Sequence, residues 1–471
     1  LDRDVKLLKV HAVDAFAAET VHQLIVELLN ELPSPLLNFL SYERKEEDYE
    51  ITMLSLPAVR IRIKISRPRG DDGGGSVHAD LPDSPDFPDV PEIYINLMRP
   101  ILNHDFVSDF NAVRQTIEKL IAPWRGLPDP SHFRDLYDQY FQDISKALAV
   151  PDASVGVASP SGKSRIYAYL NLVKDASDAM SGTSWDAFRS KFYELLPPAI
   201  NANNGLAHYL ASTIEAERAL FEQARLRIAE LVEKFSKVFE EDGQSWTFQR
   251  PHFDWEPLLN IAKIAAEAAL DVVSGGGTPG VLAASLVVAG LKVISAANEQ
   301  EYIKVISKMK GYAETVRVFG EELKEINREV RAAELEMANV LAYNAMQVWI
   351  DSDHYDLKLA KVVTSNPQEL AIKDREKVQT IYRTVMPEIG LELSNIAHEI
   401  QDLTVMFAEV AVRHEAIGVG RTGPSVHFGR FARTIAKFLH ELSEEAGLGG
   451  KNLEAAVNDI DAQDEASQRA L

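Results

Sequence analysis

The chain has no cysteine. Disulfides, zinc thiolates, iron–sulfur clusters and thiol catalysis are therefore excluded. Positive charge is short relative to negative: 49 Lys and Arg stand against 71 Asp and Glu, a net charge of −22. Phosphate neutralisation needs clustered basic residues, so nucleic acid is excluded as a general partner. Passive docking on an anionic leaflet is disfavoured for the same reason. A third shortage is local, because no ionisable side chain occurs from Val272 to Leu291. The rest is ordinary globular composition, 46% hydrophobic and 25% charged over 471 residues, with room for more than one domain.

Motifs that carry chemistry are also missing. Ser161-Gly162-Lys163-Ser164 looks like the end of a phosphate-binding loop, but Val157 stands where the first glycine belongs. The plainer expectation is a loop with Ser164 near a helix N-terminus. His398-Glu399 and His414-Glu415 lack the second histidine that a zinc helix needs. Asp459, Asp461, Asp464 and Glu465 read as a solvated helical face. There is no nucleophile elbow and no fixed-period repeat. No catalytic, cofactor-binding or metal-binding residue is assigned, no cofactor is implied, and the expectation is a protein that is not an enzyme.

Hydrophobic spacing supplies the organisation. Val13, Phe16, Leu24 and Leu28 mark a first helix that stops at Pro33 and Pro35. Val59-Arg60-Ile61-Arg62-Ile63-Lys64-Ile65 alternates with period two, a half-buried strand with a solvated basic face. Ser66–Pro91, rich in Gly and Pro, is expected to be a loop or linker, with Glu92–Leu97 as a further strand. Phe106, Phe110, Val113, Ile117 and Leu120 mark a helix. From Pro130 onward the pattern is helical. Phe133, Leu136, Tyr140, Ile144 and Leu148 mark one helix, Ser164–Met180 another, and a third is expected to open at Trp185 and halt at Pro197-Pro198.

Two longer seams follow. Leu210, Ile214, Phe221, Ala224, Ile228, Leu231, Phe235 and Val238 keep heptad spacing, with Glu217 as the one polar interruption. Met309, Tyr312, Val316, Phe319, Leu323, Ile326, Val330, Ala333, Met337 and Val340 keep it again. A helix over Glu299–Ile350 would be about 75 Å long. A third segment, Gln368–Val412, is expected to kink at Pro387, and two shorter helices split by Gly447-Leu448-Gly449-Gly450 end the chain.

Between the seams lies an apolar helical hairpin, 257–297, turning at Ser274–Gly280. Leu258, Ile261, Ile264, Leu270, Val273, Gly276, Val281, Leu286, Val287, Val288 and Leu291 form its greasy surface. Exposed apolar area costs roughly 25 cal/mol per Å² in water, so the hairpin needs its own protein, a partner or lipid as host. Each arm is shorter than the ~20 residues that span a bilayer comfortably.

Met180-Ser181-Gly182-Thr183-Ser184-Trp185-Asp186-Ala187-Phe188-Arg189-Ser190-Lys191-Phe192 resembles the helix–turn–helix centre of WXG-type proteins, the substrates of type VII (ESX) secretion systems. That resemblance implies that Trp185 starts a second helix, with Phe188 and Phe192 on one face packing into a hairpin seam. Ala187 stands where the family carries glycine. It also implies export by a non-Sec route, secreted or cell-surface localisation with possible membrane association, and contact with secretion machinery. Larger toxin-like members follow these helices with an apolar helical pair. The order long helix, apolar hairpin, long helix is similar to α-helical pore-forming toxins of the haemolysin-E and xenorhabdolysin kind.

The expectation is a mainly α protein: a long-helix bundle with an apolar hairpin and a small N-terminal α+β unit. Its divisions are 1–125, with 66–91 as linker, then 130–256, 257–297, 298–420 and 421–471. The seams Leu206–Phe239 and Tyr302–Ile350 would carry oligomer contacts or meet a helical protein partner. The functional expectation is a secreted WXG-like pore-forming or translocation component of a toxin. The alternative is a structural or adaptor protein whose hairpin is ordinary core.

Overall fold

A computed structural model describes residues 2–31, 40–44, 48–55, 59–66, 77–80, 105–150, 164–240, 248–252, 301–305, 311–350, 352, 355–357 and 371–470. The protein is mainly helical. Its residues group into two compact units that are not contiguous in sequence. One comprises Leu1–Gly126, Ala224–His252 and Glu301–Arg328; the other includes Leu127–Gln223 and Glu329–Leu471. The helices Leu196–Glu240 and Gly311–Ile350 are each divided between the two units.

In the first unit, α1 (Asp2–Glu31) lies against α2 (Phe106–Arg125). The Asp105 side chain caps α2 by accepting the Ser108 N–H at 3.0 Å. The later part of α7 (Leu196–Glu240) and the earlier part of α8 (Gly311–Ile350) complete the packing. Phe16 sits edge-on to Phe110 and Tyr312, and Phe235 packs on Phe319 at 5.0 Å. Glu19 caps α8 by accepting the Tyr312 N–H at 2.7 Å, a carboxylate at the positive end of the helix dipole.

Four strands, β1 (Leu40–Arg44), β2 (Asp48–Ser55), β3 (Val59–Ser66) and β4 (Val77–Asp80), form an antiparallel sheet in sequence order. β3 is the alternating run the sequence marked. Its register sets Ile61 opposite Met53 and Ile63 opposite Ile51. β4 corrects the expected linker. Val77-His78-Ala79-Asp80 also alternates, and it pairs along the free edge of β3, with Ile63 opposite Ala79. Glu92–Leu97 lies outside the described residues.

In the second unit, α3 (Pro130–Tyr140), a π turn over Phe141–Ser145 and α4 (Lys146–Leu148) lead to α5 (Arg165–Asp175). Ser164 caps α5 as expected, accepting the Tyr167 N–H at 3.3 Å while its hydroxyl donates to the Ala147 carbonyl at 2.6 Å. β5 (Met180–Ser181), paired with β8 (Ala371–Ile372), precedes α6 (Thr183–Phe188) and a second π turn, Arg189–Tyr193.

Pro197 and Pro198 do not stop a helix. They sit in the first turn of α7, where a missing N–H leaves no bond unmade. Nor does a helix begin at Glu299: Glu301–Val305 is a strand, and its β-branched Ile303 and Val305 favour that form over a helix start. α9 (Arg375–Thr380), a third π turn over Ile381–Val385 and α10 (Met386–Val410) form the third long segment. The π turn falls just before Pro387, which cannot donate to the carbonyl one turn back.

The expected break at Gly447–Gly450 is absent. α11 (Ser425–Ala470) runs straight through and packs along α10. A Cβ at Gly450 would meet Met386 Cβ at 3.0 Å and the Tyr382 carbonyl oxygen at 3.3 Å, so the glycine permits close approach rather than a turn. Among the described residues, no helix is long and apolar enough to cross a membrane.

Candidate functional site

Three features bear on function, and the first is a neck. β6 (Phe248–His252) pairs antiparallel with β7 (Glu301–Val305) in the register Phe248–Val305, Gln249–Lys304, Arg250–Ile303, Pro251–Tyr302 and His252–Glu301. Residues 253–300 therefore leave and return at one place, closed at the root by a two-stranded ribbon. Pro251 lacks an N–H, which a two-stranded ribbon tolerates. The hairpin residues Leu258, Ile261, Ile264, Leu270, Val273, Gly276, Val281, Leu286, Val287, Val288 and Leu291 lie outside the described residues.

The second feature is the aromatic turn. Trp185, Phe188 and Phe192 are buried and stack as a ladder, with centroids 5.3 and 5.5 Å apart. The bare backbone at Gly449 of α11 admits the Phe192 ring, since a Cβ there would come within 3.2 Å of it. α5 packs against α10 and the third π turn. The ladder is thus built into the core beside α11.

The third feature is a buried charge cluster that the sequence reading did not assemble. Over 201–224, α7 is covered on nearly every side, and Asn203, Thr213 and Glu217 are interior along with the seam residues. The Asn203 amide donates to the Ala199 carbonyl at 2.9 Å and the Tyr355 carbonyl at 3.0 Å. His208 Nε2 lies 2.8 Å from the hydroxyl of Ser145 on the first π turn, and burial pulls the imidazole down to about 4, holding it neutral.

Glu217 is 0% exposed, and among the described residues neither of its carboxylate oxygens has a hydrogen-bond partner. Burial pushes its carboxyl up to about 7, against a smaller opposing pull from Arg413. Arg413 is itself buried and pairs with the buried Glu334 of α8. Its Nη1 donates to the Ala411 carbonyl at 3.0 Å and its Nε to the Ile417 carbonyl at 3.4 Å. The face of the guanidinium lies 4.9 Å from the Phe221 ring centre.

Turn 411–424 wraps this pair. Val419 N–H donates to Glu334 Oε2 at 2.7 Å, and Arg413 N–H donates to the Arg421 carbonyl at 3.0 Å. Gly418 (φ +64) and Gly423 (φ +54) take left-handed backbone, and a Cβ at either would run into the Glu334 carboxylate. Two carboxylates and one guanidinium thus share one buried part of the core, an arrangement that cannot be electrically neutral with both acids ionised.

Its sequence signal was present in part: Glu217 is the sole polar residue in the first seam. Glu334 and Arg413 gave none, because each sits among surface-like charges in the sequence. The two His-Glu pairs serve local structure. His398 Nδ1 bonds the Ser394 carbonyl at 2.7 Å, and His414 Nδ1 accepts the Ala416 N–H at 3.2 Å. Among the described residues no group of three or more His, Asp or Glu could hold a metal ion. No family model, curated protein or solved structure matches the chain.

Proposed function

We propose that this chain is a non-enzymatic, membrane-inserting helical protein, the pore-forming or translocation component of a toxin. In this reading a long-helix bundle with a small N-terminal α+β unit carries the 257–297 hairpin into a membrane. Export follows a WXG-like type VII route, and the site of action is secreted or cell-surface. One observation carries it. The excursion, which has no ionisable side chain from Val272 to Leu291, is tied at its root by the β6–β7 ribbon, between the two helices α7 and α8. A segment pinned at both ends can exchange one non-aqueous host for another without unfolding its support.

Dye release from lipid vesicles tests this. The chain is expected to cause leakage, and Val287→Asp is expected to abolish leakage while helical content stays unchanged. Absence of leakage at every pH and concentration, with no labelling of the hairpin from the lipid phase, overturns the reading.

A second reading, an adaptor or oligomer meeting a helical partner, draws on a different feature. The outward face of α8 carries Arg317, Glu321, Lys324, Arg328 and Arg331, then turns largely apolar at Leu335, Ala342, Met346 and Trp349, with Asn339 as the one polar member. Those last five positions keep heptad spacing, and Tyr343 and Ile350 flank them, 56% and 67% exposed. On this reading Val287→Asp unfolds the protein by several kcal/mol, because the hairpin is then core.

A further inference from the structure

We propose that Glu217, Glu334 and Arg413 form a proton-operated latch. It holds turn 411–424 on α7 and α8 while Glu217 is neutral, and it loosens the turn when Glu217 ionises. The inference concerns conformational control and stands whether or not the hairpin enters a membrane.

The geometry supplies the mechanism. With a proton on Glu217, the cluster holds one carboxylate, Glu334, and one guanidinium, Arg413, and is electrically neutral. Every nitrogen of Arg413 already has an acceptor: Glu334, the Ala411 carbonyl or the Ile417 carbonyl. Glu217 has none. Once ionised, it competes with Glu334 for the same guanidinium, since Arg413 is the cation that faces it among the described residues. Glu334 also accepts the Val419 N–H, so the competition acts on both ends of the turn at once.

Among the described residues, the surrounding elements offer no alternative partner. From α8 the facing charge is Glu334, and from the turn it is Arg413. On α7 itself Arg218 is taken by Glu215 and Glu222. On α3 Tyr137 feels Glu215 and Asp138. α3, α10 and α11 bring rings to this neighbourhood, through the stack of Phe221, Phe133, Phe407 and Phe428.

The sign follows from the proton count. A carboxyl raised from 4.5 to about 7 in the folded state keeps a proton that the unfolded chain has already lost. Stability is therefore greatest below about pH 4.5 as far as this group is concerned, and it declines as pH rises toward about 7. The expected fall in the folded-to-unfolded ratio is on the order of 10²-fold across that window.

Amide hydrogen exchange at Val419 and Arg413, corrected for the intrinsic effect of pH, reads the latch directly. In the wild-type chain the protection of both amides is expected to fall by roughly an order of magnitude or more between pH 5 and pH 8. Glu217→Gln, which keeps the shape of the neutral acid, is expected to give a flat profile and higher protection at pH 8. A flat wild-type profile overturns the proposal, and so does a Glu217→Gln profile that still falls. Should the variant fail to fold, carbon-13 titration of the Glu217 carboxyl in the wild-type chain decides. A midpoint near neutrality supports the latch, and an ordinary carboxylate midpoint overturns it.

Discussion

α7 and α11 are almost the same length, 45 and 46 residues, and their interiors could hardly differ more. α11 is two-faced: Phe428, Phe431, Ile435, Leu439 and Leu442 turn inward, while Arg430, Arg433, Lys437, His440 and Glu444 stand in solvent. α7 has scarcely any outside over 201–224, so polar groups that a surface helix would hydrate are held within the core. Burying a polar group costs free energy unless it finds a partner, and burying a charge costs more. The two helices therefore fail differently. α11 depends on apolar fit, while α7 depends on how a few interior polar groups are paired and protonated.

The largest effect expected from that contrast lies at Arg413. Arg413→Ala leaves Glu334 buried without its counter-charge and is expected to cost about 3–5 kcal/mol in urea unfolding. A loss below about 1 kcal/mol would mean that water already reaches the pair. Next comes a packing change on α11. Gly450→Ala puts a methyl group against Met386 and the Tyr382 carbonyl, and a loss of about 1–3 kcal/mol is expected by the same measurement. One helical turn away the sign reverses. Gly447 has nothing within 4 Å of where a Cβ would stand, so Gly447→Ala should stabilise by about 0.5–1 kcal/mol. If both glycine variants behave alike, close approach is not the reason for either. The smallest effect is expected on the outward face of α8. Met346→Ser should change unfolding free energy by less than about 0.5 kcal/mol, yet weaken any self-association seen by sedimentation.

The same contrast explains how much the sequence reveals. Heptad spacing marked Leu210, Ile214, Phe221, Val330 and Met337 as interior, and all are buried. Within one chain those residues are already covered, so the seams need no second copy to bury them. Spacing identifies the inward residues of a helix but does not say how many of its sides are covered. The interior Asn203 and Thr213 could not be separated from surface residues for that reason.

Strand β3 and the Ser164 cap were legible because their signals are local, a period of two in one case and a hydroxyl before a helix in the other. Gly447–Gly450 and Pro197-Pro198 misled because the same residues serve two purposes. Glycine ends a helix or lets another element press against it, and proline ends a helix or begins one. Which of these applies is set by Phe192, Tyr382 and Met386, residues far away in sequence. Of the candidate sites, the aromatic turn could be named from sequence. Of the buried cluster only Glu217 could, since its partners come from two other elements.

On the proposed function, the 253–300 excursion exchanges hosts while its ribbon root stays closed. The chain has no cysteine, so Val287→Cys carries a single polarity-sensitive fluorophore without ambiguity. Addition of lipid vesicles should shift its emission to the blue, and nitroxide-labelled lipids should then quench it. An emission spectrum indifferent to vesicles at every pH and concentration, with no quenching from the lipid phase, would overturn the proposed exchange.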